Sequence, residues 1–192
     1  MSEATVSAVS AIPAVPAIAF VGKQNSGKTV LLEKVITALT RRGIRVASIK
    51  HHSHAGFEFD VAGKDSWRHR QAGSVQTVIV APDQIATVRS LAKEPSLSQV
   101  IEALLYESAL YNEMPQLILV EGYRRGGLPT VELFRAANPN DAERDLGAEG
   151  NKIIAVVTDI DRVVAQAKEQ GVPAYGLEDI EPLCDFLMNQ IP

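Results

Sequence analysis

The chain has 192 residues, 46% of them hydrophobic and 22% charged, a size and balance that suit one folded α/β domain with a buried core. Its formal net charge of −4 lacks the basic excess of a nucleic-acid binder, and no apolar run approaches the roughly 18 residues of a membrane span. One cysteine, Cys184, excludes an intramolecular disulfide and any zinc-finger spacing, which fits a reducing cytoplasm.

In chain order, residues 1–16 are rich in Ala, Val, Ser and Pro. They lack the basic start and long apolar centre of a secretory signal and read as a flexible tail. The apolar run 17–21 predicts a strand. Residues 22–29, GKQNSGKT, fit G-x-x-x-x-G-K-[ST], the phosphate-binding P-loop. A helix follows from Thr29, with Leu31, Leu32, Val35, Ile36 and Leu39 on one face, Arg41 and Arg42 in its last turn and Gly43 as its stop.

Residues 44–49 predict a second strand, and 50–63 a polar loop holding histidines and glycines. A short helix is expected over 65–72, ended by Gly73. Strands over 75–80 and 85–89 are expected to pair antiparallel across Pro82-Asp83. A helix capped by Ser96 or Ser98 follows, its apolar face formed by Val100, Ile101, Leu104 and Leu105. Residues 117–120 predict a strand of the buried parallel type, and 131–134 another. Residues 137–151 read as a surface loop or short helix. A strand over 153–157, a helix near 162–170 stopped by Gly171, a short strand at 174–175 and a helix over 180–188 complete the pattern. Strands alternating with helices predict an α/β fold, P-loop NTPase-like, with a mainly parallel doubly wound sheet flanked by helices. One nucleotide-binding domain is expected over 17–192.

Ligands of such sheets collect at the carboxyl ends of the strands. The P-loop glycines let backbone N–H groups turn inward around a phosphate chain, and the helix start adds its positive end. Lys28 is expected to reach the β- and γ-phosphates, and the Thr29 hydroxyl to hold Mg²⁺. Glu121, closing an apolar strand, stands where a P-loop NTPase carries its Walker B acid. Asp60, preferred to Asp65, occupies a segment where switch regions sense the γ-phosphate. Asp159, with Asp161 nearby, follows a late strand where GTPases place the acid that reads guanine. A helix N-cap role for Asp159 or Asp161 is an equal alternative. The expected nucleotide contacts are thus Gly22, Asn25, Ser26, Gly27, Lys28, Thr29, Val30 and Asp159. The expected metal ligands are Thr29, Asp60 and Glu121, with Lys28 and Glu121 in the catalytic roles. His51, His52, His54 and His69 allow a transition-metal site or contacts to phosphate or a partner. Lys50, Lys64, Arg68, Arg70, Arg124 and Arg125 are either solvated charges or an anion-receiving cluster.

The loop carries a more specific signal. IKHHSH at 49–54, FEFDVAGKDSWRH at 57–69 and QAG at 71–73 resemble the MobB family, the molybdopterin-guanine dinucleotide biosynthesis adapter proteins. EGYR at 121–124 with PTVELFR at 129–135 is similar to that family's second block, and Thr158-Asp159 to its third. Ala62 stands where proline is expected and Arg124 where lysine is more usual. The resemblance implies a cytoplasmic, homodimeric GTP-binding protein with weak GTPase activity. It implies GTP and Mg²⁺ as ligands and a MobA-type molybdopterin guanylyltransferase as partner, with molybdopterin or a molybdoenzyme as a further contact. The alternatives are a small-molecule kinase, which needs a lid with arginines such as Arg124 and Arg125 and an acceptor pocket, and a GTP-gated metal-delivery switch, suggested by Glu121-Gly122 and the histidines.

Overall fold

Strand side chains alternate between the two faces of a sheet, so a run that is apolar at every position needs cover on both. The computed structural model, which describes residues 13–52, 56–124 and 126–191, supplies that cover. Its elements are β1 (Ala17–Val21), α1 (Lys28–Arg41), β2 (Val46–Lys50), α2 (Asp65–Gln71), β3 (Gln76–Ala81), β4 (Gln84–Arg89), α3 (Leu97–Leu110), β5 (Leu117–Glu121), β6 (Pro129–Leu133), β7 (Lys152–Val157), α4 (Asp161–Glu169), β8 (Ala174–Tyr175) and α5 (Ile180–Met188). A 3-10 turn at Pro139–Asp141 lies between β6 and β7. The chain divides into two compact units, one made of the chain up to His51 and from Leu97 onward, the other of His52–Ser96.

The first unit holds a six-stranded sheet in the order β2-β5-β1-β6-β7-β8, with every pairing parallel. In β5, Leu117 and Leu119 enter a core with Leu31, Leu32, Val35 and Leu39 of α1 and Leu183, Cys184 and Leu187 of α5. Ile118 and Val120 enter a second core with Leu97, Val100, Ile101, Leu104 and Leu105 of α3. A third gathers Phe134, Leu146, Val156, Val163 and Ala167, the last two from α4. Burying each such large side chain stabilises the fold by roughly 1.5–3 kcal/mol. The parallel, doubly wound sheet expected from the sequence is therefore present.

Where boundaries move, hydrogen bonds explain it. Strand β2 begins at Val46 because Ile44 closes α1. The Gly43 N–H donates to Thr40 O at 2.9 Å and the Ile44 N–H to Leu39 O at 3.1 Å, with Gly43 left-handed at φ 78°, a Schellman ending. Helix α4 ends the same way, Gly171 bonding Lys168 O at 3.2 Å and Val172 bonding Ala167 O at 2.9 Å. The second unit contains α2 and an antiparallel pair, β3 with β4, in the register Gln76↔Arg89 to Ala81↔Gln84. No helix among the described residues is long and apolar enough to cross a membrane. Residues 1–12, His54 and Arg125, for which expectations were given, lie outside the described residues.

Candidate functional site

Parallel register assembles the site. Phe20 of β1 lies opposite Glu121 of β5, and Val21 lies opposite Glu132 of β6, so three carboxyl ends meet where the loop 22–27 leaves the sheet. Gly22 is required for space: a methyl group built on it would sit 2.7 Å from Leu133 O and 2.8 Å from Ser26 Oγ. Asn25 (φ 65°) and Gly27 (φ 92°) are left-handed, which turns the chain into a backbone concavity of the anion-binding kind. Ser26 is buried beneath it.

Helix α1 then starts without protection. Its N-cap residue is Gly27, no side chain caps it, and its first turn carries no acid. Its first N–H groups therefore have no intrahelical partner, and its positive dipole end faces no counter-charge of its own. The Lys28 ammonium sits at this mouth, donating to Gly22 O at 3.0 Å, Lys23 O at 2.7 Å and Ser26 Oγ at 3.4 Å. Burial lowers its pKa; Arg124 and Lys50 push the same way, while Glu121 and Asp141 oppose them.

Thr29 and Glu121 are brought together: Thr29 Oγ1 donates to Glu121 Oε1 at 3.2 Å and reaches Oε2 at 3.4 Å. Glu121 is 7% exposed and also pairs with the Lys50 ammonium. A hydroxyl and a carboxylate side by side, next to a phosphate-type loop, are the hard oxygen donors Mg²⁺ prefers, so these residues fit that ion. After Glu121 the chain turns sharply through Gly122 (φ 92°) and Tyr123 (φ 51°). The Tyr123 ring, on this non-glycine residue of positive φ, lies 4.3 Å from that of His51.

A polar network that sequence reasoning missed supports the loop. Glu132, fully buried, pairs with Arg144 and accepts from the Gly147 N–H at 2.8 Å. Arg144 also donates to Asp141 at 2.9 Å and to Leu133 O at 2.9 Å. Asp141 accepts from Asn138 Nδ2 at 2.8 Å, and the same amide reaches Gln24 O in the loop at 3.1 Å. Lys23 binds Glu149 at 2.7 Å, and Arg124 reaches Glu149 at 3.3 Å and Gly22 O at 2.9 Å. Burial pushes the Glu149 carboxyl up, but the Lys23 hydrogen bond and the Arg124 charge together hold it below its usual range. The segment read as a surface loop thus contributes buried Asn138, Asp141 and Leu146. The one signal for it was a glutamate inside an otherwise apolar strand.

The remaining expected residues are placed as follows. Val30 lies on the first turn of α1, largely exposed. Asp159 is exposed beyond β7, with Oδ1 accepting from the Ala136 N–H at 2.6 Å. Neither it nor Asp161 is the N-cap of α4. That position is Ile160, and Thr158 Oγ1 accepts from its N–H at 3.0 Å. Asp60 belongs to the second unit, where its Oδ1 accepts from the Val61 N–H at 2.8 Å. Asp65 is a first-turn acid of α2, after the N-cap Lys64. The His52 ring lies 4.8 Å from that of Phe57. No group of three or more His, Cys, Asp or Glu side chains among the described residues converges to hold a metal ion.

Known proteins resemble this chain along most of its length. A family model described as "Molybdopterin guanine dinucleotide synthesis protein B" matches residues 17–159. The molybdopterin-guanine dinucleotide biosynthesis adapter protein of Haemophilus influenzae is 33% identical over 176 residues, covering 90% of this chain and 87% of the relative. That of Escherichia coli is 33% identical over 173 residues, covering 90% and 91%. Among solved structures, Bacillus subtilis MobB superposes with a TM-score of 0.69 at 23% identity, covering 92% of this chain and 98% of that one.

Proposed function

Because the chain belongs to the molybdopterin guanine dinucleotide synthesis protein B family, we propose that it is a cytoplasmic GTP-binding adapter with weak GTPase activity. It assists guanylyl transfer to molybdopterin. The observation that carries the nucleotide half of this reading is the start of α1: an uncapped, acid-free helix end behind a left-handed loop, with the Lys28 ammonium at its mouth. The first-turn N–H groups and Lys28 bind the β- and γ-phosphates. Thr29 and Glu121 hold Mg²⁺, which when bound neutralises charge on the terminal phosphates. Guanine reading falls to Asp159, whose carboxylate is held in place by the Ala136 N–H and keeps its other oxygen for donors of the base.

Weak hydrolysis is part of the same proposal: Glu121, beside Thr29, is read as a metal anchor, and no other group is assigned to position the attacking water. Calorimetric titration of GTP, GDP and ATP with Mg²⁺ into the wild type and Lys28→Ala tests the reading. Guanine-selective binding that the substitution abolishes is the expected result; equal or better binding of ATP would overturn guanine selectivity and favour the kinase alternative. Partnership with a MobA-type guanylyltransferase, homodimerisation and contact with molybdopterin or a molybdoenzyme belong to the same proposal and rest on family membership.

A further inference from the structure

We propose that Arg135 contacts the bound nucleotide's phosphates nearest the nucleoside, those common to GDP and GTP; this rests on the nucleotide reading above. Strand β6 flanks β1 on the side opposite β5. Its carboxyl end therefore lies across the loop from Glu121 and Thr29, and Asp159 follows β7, one strand further out. A nucleotide running from the Thr29–Glu121 pair toward Asp159 passes the end of β6, where Arg135 stands.

The backbone there is fixed. The Arg135 N–H donates to Asp141 Oδ2 at 3.2 Å, its carbonyl accepts from the Asn138 N–H at 2.9 Å, and the next N–H, of Ala136, is held by Asp159. The side chain reaches back over the loop: a methyl group built on Gly27 would lie 3.8 Å from Arg135 Nη1. Gly27 is the N-cap residue of α1.

The other described cations around the loop have acceptors. Lys23 has Glu149, Lys28 has loop carbonyls, Lys50 has Glu121, Arg124 has Gly22 O and Glu149, and Arg144 has Glu132 and Asp141. The Arg135 guanidinium has no hydrogen-bond or ion-pair partner among the described residues. A cation beside the positive end of an uncapped helix is repelled by it, and an anion between the two turns that repulsion into attraction at both contacts. A phosphate is the anion whose geometry suits the guanidinium fork.

The test is calorimetric binding of GDP and GTP, with Mg²⁺ and at several salt concentrations, to the wild type, Arg135→Ala, Arg135→Lys and Lys28→Ala. Arg135→Ala is expected to raise Kd for GDP and GTP alike by about tenfold or more and to flatten the salt dependence of binding. Arg135→Lys restores part of both. Circular dichroism of the exposed-site variants matching the wild type excludes misfolding as the cause. Unchanged Kd in Arg135→Ala, with binding still abolished in Lys28→Ala, would overturn the Arg135 contact and leave the nucleotide site standing. A loss confined to GTP would move the arginine to the γ-phosphate and overturn the assignment made here. A wild type that binds neither nucleotide would overturn the nucleotide reading itself.

Discussion

Glu132 is the residue whose environment departs furthest from what its neighbours in sequence suggest. It sits in an apolar strand, fully buried. Burial raises its pKa above the usual 4.5, against the lowering effects of the Gly147 N–H and Arg144. The folded chain thus keeps this proton to higher pH than the unfolded chain does. Between the two values the folded state binds more protons, so this group's contribution to stability falls as pH rises from 4.5 through its folded-state pKa. Urea denaturation across that window should show the fall, and Glu132→Gln should flatten it. Cys184 offers a contrast: burial pushes its thiol up to about 11, which leaves it an inert packing residue of α5.

At the scale of elements, the loop 22–27 is held by side chains from the β6–β7 connection. Arg144 is the hub, with two buried carboxylates, Glu132 and Asp141, on its guanidinium and the Phe134 ring 3.7 Å beneath it. Removing the cation leaves both acids buried without their shared partner. Arg144→Met should therefore cost about 3–5 kcal/mol, read from chemical denaturation, and should weaken nucleotide binding by releasing Asn138 from Gln24. This is also where the sequence was least legible. The α1 face Leu31, Leu32, Val35 and Leu39 announces itself by periodicity, and β5 by unbroken apolarity. Asn138, Asp141 and Arg144 lie in a polar stretch with no period, and only long-range contacts bury them. The P-loop and Glu121 were legible because local chain geometry and a strand end define them. Arg135 was not, because its relation to Gly27 exists only once β6 lies beside β1.

For the whole molecule, the family relative covers 90% of the chain and the MobB structure 92%. The adapter proposal turns on a second protein. With Glu121 assigned to the metal and no group assigned to position the attacking water, the isolated chain is expected to turn over GTP slowly. A MobA-type guanylyltransferase at saturating concentration should raise that rate by at least about tenfold, in the manner of a partner that supplies missing transition-state contacts. Phosphate release assays with and without the partner measure it, and unchanged turnover would count against stimulation.

The parallel register described for β1 has a consequence for how the site comes into being. Ala17 pairs with Ile118 and Ala19 with Thr130, so the first strand has no neighbour until the second half of the chain has been made. A nascent chain that has just released its glycine-rich loop from the ribosome carries the whole motif and none of its scaffold. Such distant pairings must bear loop-closure entropy before any contact repays it, which places folding toward the slow end for domains of this size. On the nucleotide-binding reading proposed above, capture is expected only after synthesis has passed β6, when β1 has gained both of its neighbours.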